Sequence, residues 1–181
     1  MDEPIISKNI RVRHPEYFSV GEGSIIDDFC YFSTKVVIGR YSHIASSCTV
    51  AGGIDRTFSL GDYSSVSSGA RIWCTSDDFV NDLITVIPKG IKGIKENLIT
   101  GDVVFGNFTG VGANSVVMPH NEIPEGTAIG ALSFVPPGFQ FKPWSVYVGF
   151  PIRFFKARNR DSVLRQVEKL ERQLRARSQS V

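Results

Sequence analysis

Histidine and cysteine are scarce in this chain of 181 residues, with three of each, and neither is arranged as a metal or redox site. The cysteines lack C-x-x-C spacing, which argues against a zinc site and a disulfide framework, so free thiols are expected. His14, His43 and His120 lack the clustered spacing that would bring them to one metal, and no metal is expected. A large charge of one sign is missing too. Lysine plus arginine exceed aspartate plus glutamate by only two, which gives no electrostatic case for nucleic acid or an anionic membrane surface. No segment approaches the run of about 20 apolar residues that a spanning helix needs. The start, MDEPIISKNIRVRH, has no apolar stretch of signal-peptide length. The expectation is therefore a cytoplasmic protein, with length and apolar content for one main domain and a small terminal element.

What the chain does have is a six-residue period. Val20, Ile26, Phe32, Ile38, Ile44 and Val50 lie at strict intervals of six; the frame resumes at Leu60, Val66 and Ile72, and again from Ile99 through Phe105, Val111, Val117, Ile123, Ile129 and Val135. All sixteen positions are apolar. Four residues after each marker the side chain is usually small: Ser24, Cys30, Ser42, Cys48, Ser64, Ala70, Thr109, Ser115, Thr127 and Ser133, with Val36 and Val103 larger and Asn121 the polar exception. The residue just after the marker is often glycine or alanine, which tolerate turns.

A period of six is neither the 3.6 of an α-helix nor the 2 of an ordinary strand, so each repeat reads as a short flat strand plus a corner, three to a triangular coil. The predicted fold is all-β, a left-handed parallel β-helix of hexapeptide repeats, with coils stacked about 4.8 Å apart. Cys30 and Cys48, eighteen residues apart, are expected directly above one another as small corner residues. A β-sandwich would show alternation and irregular turn spacing instead.

Interruptions of a solenoid project as loops and are where function tends to sit. A short one, GGIDRTF, falls between Val50 and Leu60; a long, polar and basic one runs from about 73 to 98 and is the expected active-site loop. After Val135 the frame is expected to end and the chain to cross over the last coil. Residues 1–158 would form the β-helix domain and 159–181 an amphipathic helix and tail, its stripe being Val163, Val167, Leu170 and Leu174.

With GANSVVMPH, IPEGTAIGALSFV and PWSVYVGFPIRFFKAR in order, residues 20 to 158 resemble the hexapeptide-repeat acyltransferases, in particular bacterial sugar and galactoside acetyltransferases. The most specific part is the closing pattern from Pro143 to Lys156. The resemblance implies a homotrimer with acetyl-coenzyme A along the β-helix wall and each active site between two subunits. By position it implies that Gly112, Ala113, Gly130 and Ala131 admit the pantetheine arm, and that Arg153 and Lys156 meet the coenzyme phosphates. Asp55 aligns with an acidic residue that contacts acceptor hydroxyls, and its neighbour Arg56 is a candidate for a substrate phosphate. The γ-type carbonic anhydrases share the architecture, but their histidine ligands have no counterparts here.

One catalytic position departs from the family. Its general-base histidine falls on Asp77, with Asp78 beside it. An aspartate with an ordinary pKa of about 3.9 is a poor base for an alcohol, whereas a partly neutral amine attacks a thioester with only orientation and a later proton acceptor. The expectation is N-acetylation of an amino sugar, nucleotide-linked, in cell-surface polysaccharide biosynthesis, with Asp77 or Asp78 holding the amine. Both aspartates also suit a loop turn. His43 is a candidate displaced base, and His120 an outward corner residue. O-acetylation of a sugar hydroxyl and a non-catalytic β-helix scaffold are the alternatives.

Overall fold

The computed structural model describes residues 2–80, 87, 90–93 and 97–178. The chain winds about seven turns of a left-handed β-helix and ends in one α-helix, Arg160–Ser178. Strands stack in parallel into three walls. The first holds Ile5–Ile6, Ile25–Ile26, His43–Ile44, Ser65–Val66, Gly110–Val111, Ala128–Ile129 and Ser145–Val148. The second holds Arg11–Val12, 31–32, 49–50, 71–72, Val116–Val117 and Phe134–Val135. Phe18–Val20, 36–38, 58–60, Val103–Phe105 and Asn121–Ile123 make the third.

Fourteen of the sixteen apolar markers point inward with 3% or less of their surface exposed. Val20, in the N-terminal coil, is half-buried. Ile99 is a correction: it pairs with Ser76 on an antiparallel stem outside the solenoid, so the frame resumes at Phe105. The frame also runs further than expected at the C-terminal end. Phe141 and Tyr147 follow Val135 at six-residue intervals, and with Phe139 they close the barrel end edge to face. Only then does the chain reverse, when Arg153–Ala157 pairs antiparallel with Ser145–Val148.

The small residues at the corners are polar for a reason that size alone does not give. Ser42 Oγ donates to the Gly61 carbonyl at 2.7 Å and accepts the Ser64 N–H at 3.0 Å, and Ser64 repeats the pattern with Gly106 and Thr109. Each buried hydroxyl thus satisfies two backbone groups of a tight corner that strand pairing cannot reach. Cys30 and Cys48 take equivalent places, one above the other as expected, their thiols donating to Ala45 and Ser67 carbonyls at 3.2 Å. At the corner between the second and third walls the same position holds Val36, Phe58, Val103 and Asn121. Larger residues open that corner, and there the chain leaves the coil.

The corner between the third and first walls is covered instead. Tyr41, Tyr63, Phe108 and Trp144 stack along it at 5.6–5.9 Å, and the C-terminal helix lies over this ladder. Glu171 accepts the Tyr63 hydroxyl and pairs with Arg40 at 2.9 Å, while Arg158 donates to the Phe108 and Gly126 carbonyls. The Tyr63 bond and then the Arg40 charge hold the Glu171 carboxyl below the usual carboxylate range. Val163, Val167 and Leu174 of the stripe are half-buried and Leu170 stays exposed. No helix among the described residues is long and apolar enough to cross a membrane.

Candidate active site

Both interruptions leave at the same corner, between the second and third walls, in successive coils. The short one is held between its neighbours: Thr34 Oγ1 donates to the Arg56 carbonyl at 2.6 Å, Cys74 N–H to the Ala51 carbonyl at 2.7 Å, and Thr75 Oγ1 to the Gly52 carbonyl at 2.9 Å. The long one rises on an antiparallel stem, Thr75–Asp77 against Leu98–Thr100. Arg56 reaches that stem, its Nη2 donating to Thr100 Oγ1 at 3.1 Å, and Asp102 accepts the Thr57 N–H at 2.9 Å. Arg56, Thr100, Asp102, His120 and Glu122 line a cleft of about 990 Å³ beneath the stem. Arg56, Asp102 and Glu122 are therefore brought to one cleft although they lie far apart in sequence, while Asp55 adjoins Arg56 and Asp77 stands on the stem opposite Leu98. Residues 81–86, 88–89 and 94–96 of the expected active-site loop lie outside the described set.

The two adjacent aspartates differ in their surroundings. Asp78 Oδ1 accepts the Val80 N–H at 3.1 Å and its own N–H donates to the Asn97 carbonyl, so it shapes the turn that leaves the stem. The half-buried Asp77 carboxylate accepts no hydrogen bond from the described residues. Of the two, Asp78 is the one engaged in the turn. Cys74, just before the stem, is buried, and burial pushes its thiol up to about 12, which makes it a packing residue and not a nucleophile.

The residues expected against the coenzyme lie at another corner, between the first and second walls. Down the outer face of the first wall the outward residues are His43, Ser65, Gly110, Ala128 and Val146, and the next corner column reads Asp27, Ala45, Ser67, Gly112, Gly130 and Val148. From Ser65 to Gly130 every one is small, and the result is a shallow trough. The exposed Ala131 edges it, and Arg153, paired with Val148, and Lys156 stand at its C-terminal end, both exposed. Ala113 follows Gly112 at the same edge.

The glycines of this trough are not equivalent. A Cβ on Gly112 would sit 2.2 Å from the Ala131 nitrogen, and one on Gly130 would sit 2.7 Å from a Val148 methyl. Stacking alone requires glycine at 112. At Gly110 a Cβ would meet nothing within 4 Å, so the fold leaves that space open. Gly110, Ser65 and Ser67 belong to no motif, but the repeat marks them: they lie one residue to either side of the inward markers Val66 and Val111. His43, at the other end, is paired with Asp27, Nε2 to Oδ2 being 2.9 Å. His120 lies at a left-handed corner with φ of 64° and lines the cleft, and His14 is near Glu16 at 3.8 Å. Among the described residues no group of three histidine, cysteine or acidic side chains is placed to hold a metal.

A left-handed β-helix with a small-residue trough, a cationic end and an extruded loop defines the chain as a hexapeptide-repeat acyltransferase, and it belongs to that family. Among solved structures, AntD, an N-acyltransferase from Bacillus cereus in complex with dTDP-4-amino-4,6-dideoxyglucose and coenzyme A, matches with a TM-score of 0.81 at 34% identity, over 93% of this chain and 87% of AntD. The dTDP-4-amino-4,6-dideoxy-D-glucose acyltransferase of Escherichia coli is 29% identical over 166 residues, 86% of this chain and 82% of the relative. A maltose O-acetyltransferase from Clostridium difficile, 17% identical with a TM-score of 0.62 over 80% of this chain and 72% of that one, shares the fold. No known family profile matches the chain.

Proposed function

We propose that the protein transfers an acyl group, acetyl in the simplest case, from coenzyme A to the amine of a nucleotide-linked amino sugar. The observation that carries this reading is Asp77: an unengaged, half-buried carboxylate stands on the stem of the extruded loop, where the family's sugar O-acetyltransferases use a histidine. A carboxylate accepts hydrogen bonds from an amine and orients its lone pair, but is too weak a base for a sugar hydroxyl. The kinship with AntD and the Escherichia coli enzyme supports an amino-sugar acceptor, and other AntD structures carry substitutions at an aspartate. AntD has also been solved with 3-hydroxybutyryl-CoA, so longer acyl groups belong in the donor screen.

In this reading the coenzyme phosphates meet Arg153 and Lys156, and the pantetheine arm lies in the trough over Gly130, Ala131, Gly112 and Ala113, with Gly110 leaving room. Asp55 and Arg56 meet the acceptor. The trough and the loop stem stand at different corners of one triangular coil, so we infer a homotrimer in which the loop of one copy closes over the trough of the next. A nucleotide-linked product is an activated building block, which fits cell-surface polysaccharide biosynthesis in the cytoplasm. The test is thiol release from acetyl-, butyryl- and 3-hydroxybutyryl-coenzyme A with dTDP-linked amino sugars, the matching hydroxy sugars and simple galactosides as acceptors. Turnover confined to amine acceptors is expected; turnover only with hydroxyl acceptors would overturn it.

A further inference from the structure

The trough is open at its C-terminal end, where the cations stand, and bounded at the other by two titratable side chains that the mechanism above leaves without a defined task. His43 faces outward because its neighbours Ser42 and Ile44 are buried inside the coil. By strand register it lies between Ile25 and Ser65. Asp27 follows Ile26 at the corner one coil earlier, and its carboxylate meets His43 Nε2 at 2.9 Å, both side chains being 43% exposed. Of the elements beside His43, the preceding strand brings Asp27 and the following one brings the uncharged Ser65.

An ionised carboxylate only accepts hydrogen bonds, so the contact places the imidazole proton on Nε2 and leaves Nδ1 as a lone pair. No described residue bonds to Nδ1. From the coil of Gly130 to that of His43 is three strand spacings, about 14 Å. Arg153 and Lys156 stand two strands further on, about 24 Å from His43 in all, and their long side chains together with an extended pantetheine arm span that distance, which sets the thioester at the His43 end of the trough.

We propose that His43 is the proton acceptor of the transfer and that Asp27 is its positioning residue; this rests on the acyl-coenzyme A reading above. The acceptor amine forms the C–N bond at the thioester carbonyl, and the resulting ammonium gives its proton to Nδ1. As the tetrahedral intermediate collapses the C–S bond breaks, the electron pair leaves on sulfur, and the imidazolium proton passes to that thiolate. Amide and free thiol are the products, and His43 is restored. Asp27 does not touch the substrate; it fixes the tautomer and offsets the transient positive charge.

The experiment uses the full chain, with the amino-sugar acceptor that turns over best and acetyl-coenzyme A. His43→Ala is expected to lower kcat about 100-fold, the lower end for a general base, with KM for the donor changed less than threefold and the melting temperature unchanged. Millimolar imidazole in the buffer is expected to restore part of the rate, which no merely structural histidine would allow. Asp27→Asn is expected to lower kcat about 10-fold, Asp27→Glu to recover most of it, and Asp27→Asn in the His43→Ala background to add nothing. Should His43→Ala destabilise the chain, His43→Gln, a close polar replacement, carries the same comparison. A kcat within threefold of wild type in both His43 variants, or a rate loss that imidazole does not touch, overturns the proposal. An absence of any thiol release by the wild-type protein would instead sink the acyltransferase reading beneath it.

Discussion

The corner after the first wall and the corner after the second wall grow from the same hexapeptide and become opposite kinds of surface. At the first, corner residues are small enough for the backbone to turn tightly, coil after coil, and repetition itself produces a straight trough. At the second, Val36, Phe58 and Val103 widen the bend, the excursions leave, and the Arg56 guanidinium and the Asp102 and Glu122 carboxylates, from distant parts of the sequence, line one cleft beside the loop stem. A trough made by repetition suits a long, uniform arm. A rim made by interruption suits one specific acceptor group. The two lie on different edges of a rigid prism, so the reading requires them to meet between copies.

Four changes would break or sharpen that contrast. The largest effect is expected on the rim: Asp77→Asn should reduce kcat about 100-fold by losing the orientation of the amine, while Asp78→Asn, which removes only a turn hydrogen bond, should stay within about threefold and lower stability by under roughly 1 kcal/mol. Steady-state thiol release and thermal melting separate the two. Next in size is a recovery. Co-expression of Asp77→Asn and His43→Ala chains, each nearly inactive alone, should give mixed trimers in which roughly a quarter of the sites hold an intact trough from one copy and an intact loop from the next. No recovery in mixed trimers confirmed by mass spectrometry would place both groups on one chain's site or on none.

A third change acts on the trough alone. Arg153→Ala with Lys156→Ala should raise KM for acetyl-coenzyme A about 10-fold, roughly 1.4 kcal/mol of binding, and less so at high salt as screening grows. The same variant should treat S-acetyl-N-acetylcysteamine, which has no phosphates, as wild type does. The smallest effects divide the glycines. Gly112→Ala, forced against the Ala131 nitrogen, should cost about 1–3 kcal/mol and several degrees of melting temperature. Gly110→Val should melt like wild type and show its cost only as a severalfold rise in KM for the donor. A stable Gly112→Ala would mean that the corner relaxes and that glycine there serves the ligand after all.

The candidate site was legible to different degrees along the chain. Gly112, Gly130, Arg153 and Lys156 carry a linear signal, because the repeat fixes which positions stack and the closing motif has its own spacing. Asp77 was legible as a departure, an acid in a histidine's place, but not as distinct from Asp78, since only the turn geometry shows which carboxylate is already engaged. Asp27 was invisible. It stands sixteen residues before His43, and what joins them is the left-handed winding that carries each outward residue back past the coil before it. Ile99 shows the opposite failure, a residue with the right spacing whose strand belongs to the loop stem.

By itself the sequence determined the coil. An apolar side chain every six residues has only one way to be buried throughout, and small polar residues between them have only one place where their hydroxyls are satisfied. Only the tertiary structure decided how the corners divide the work. The sequence shows two interruptions; that both leave from one edge, that the helix lies over the aromatic ladder on another, and that the trough runs down the third are consequences of stacking, in which residues become neighbours by coil and corner instead of by sequence distance.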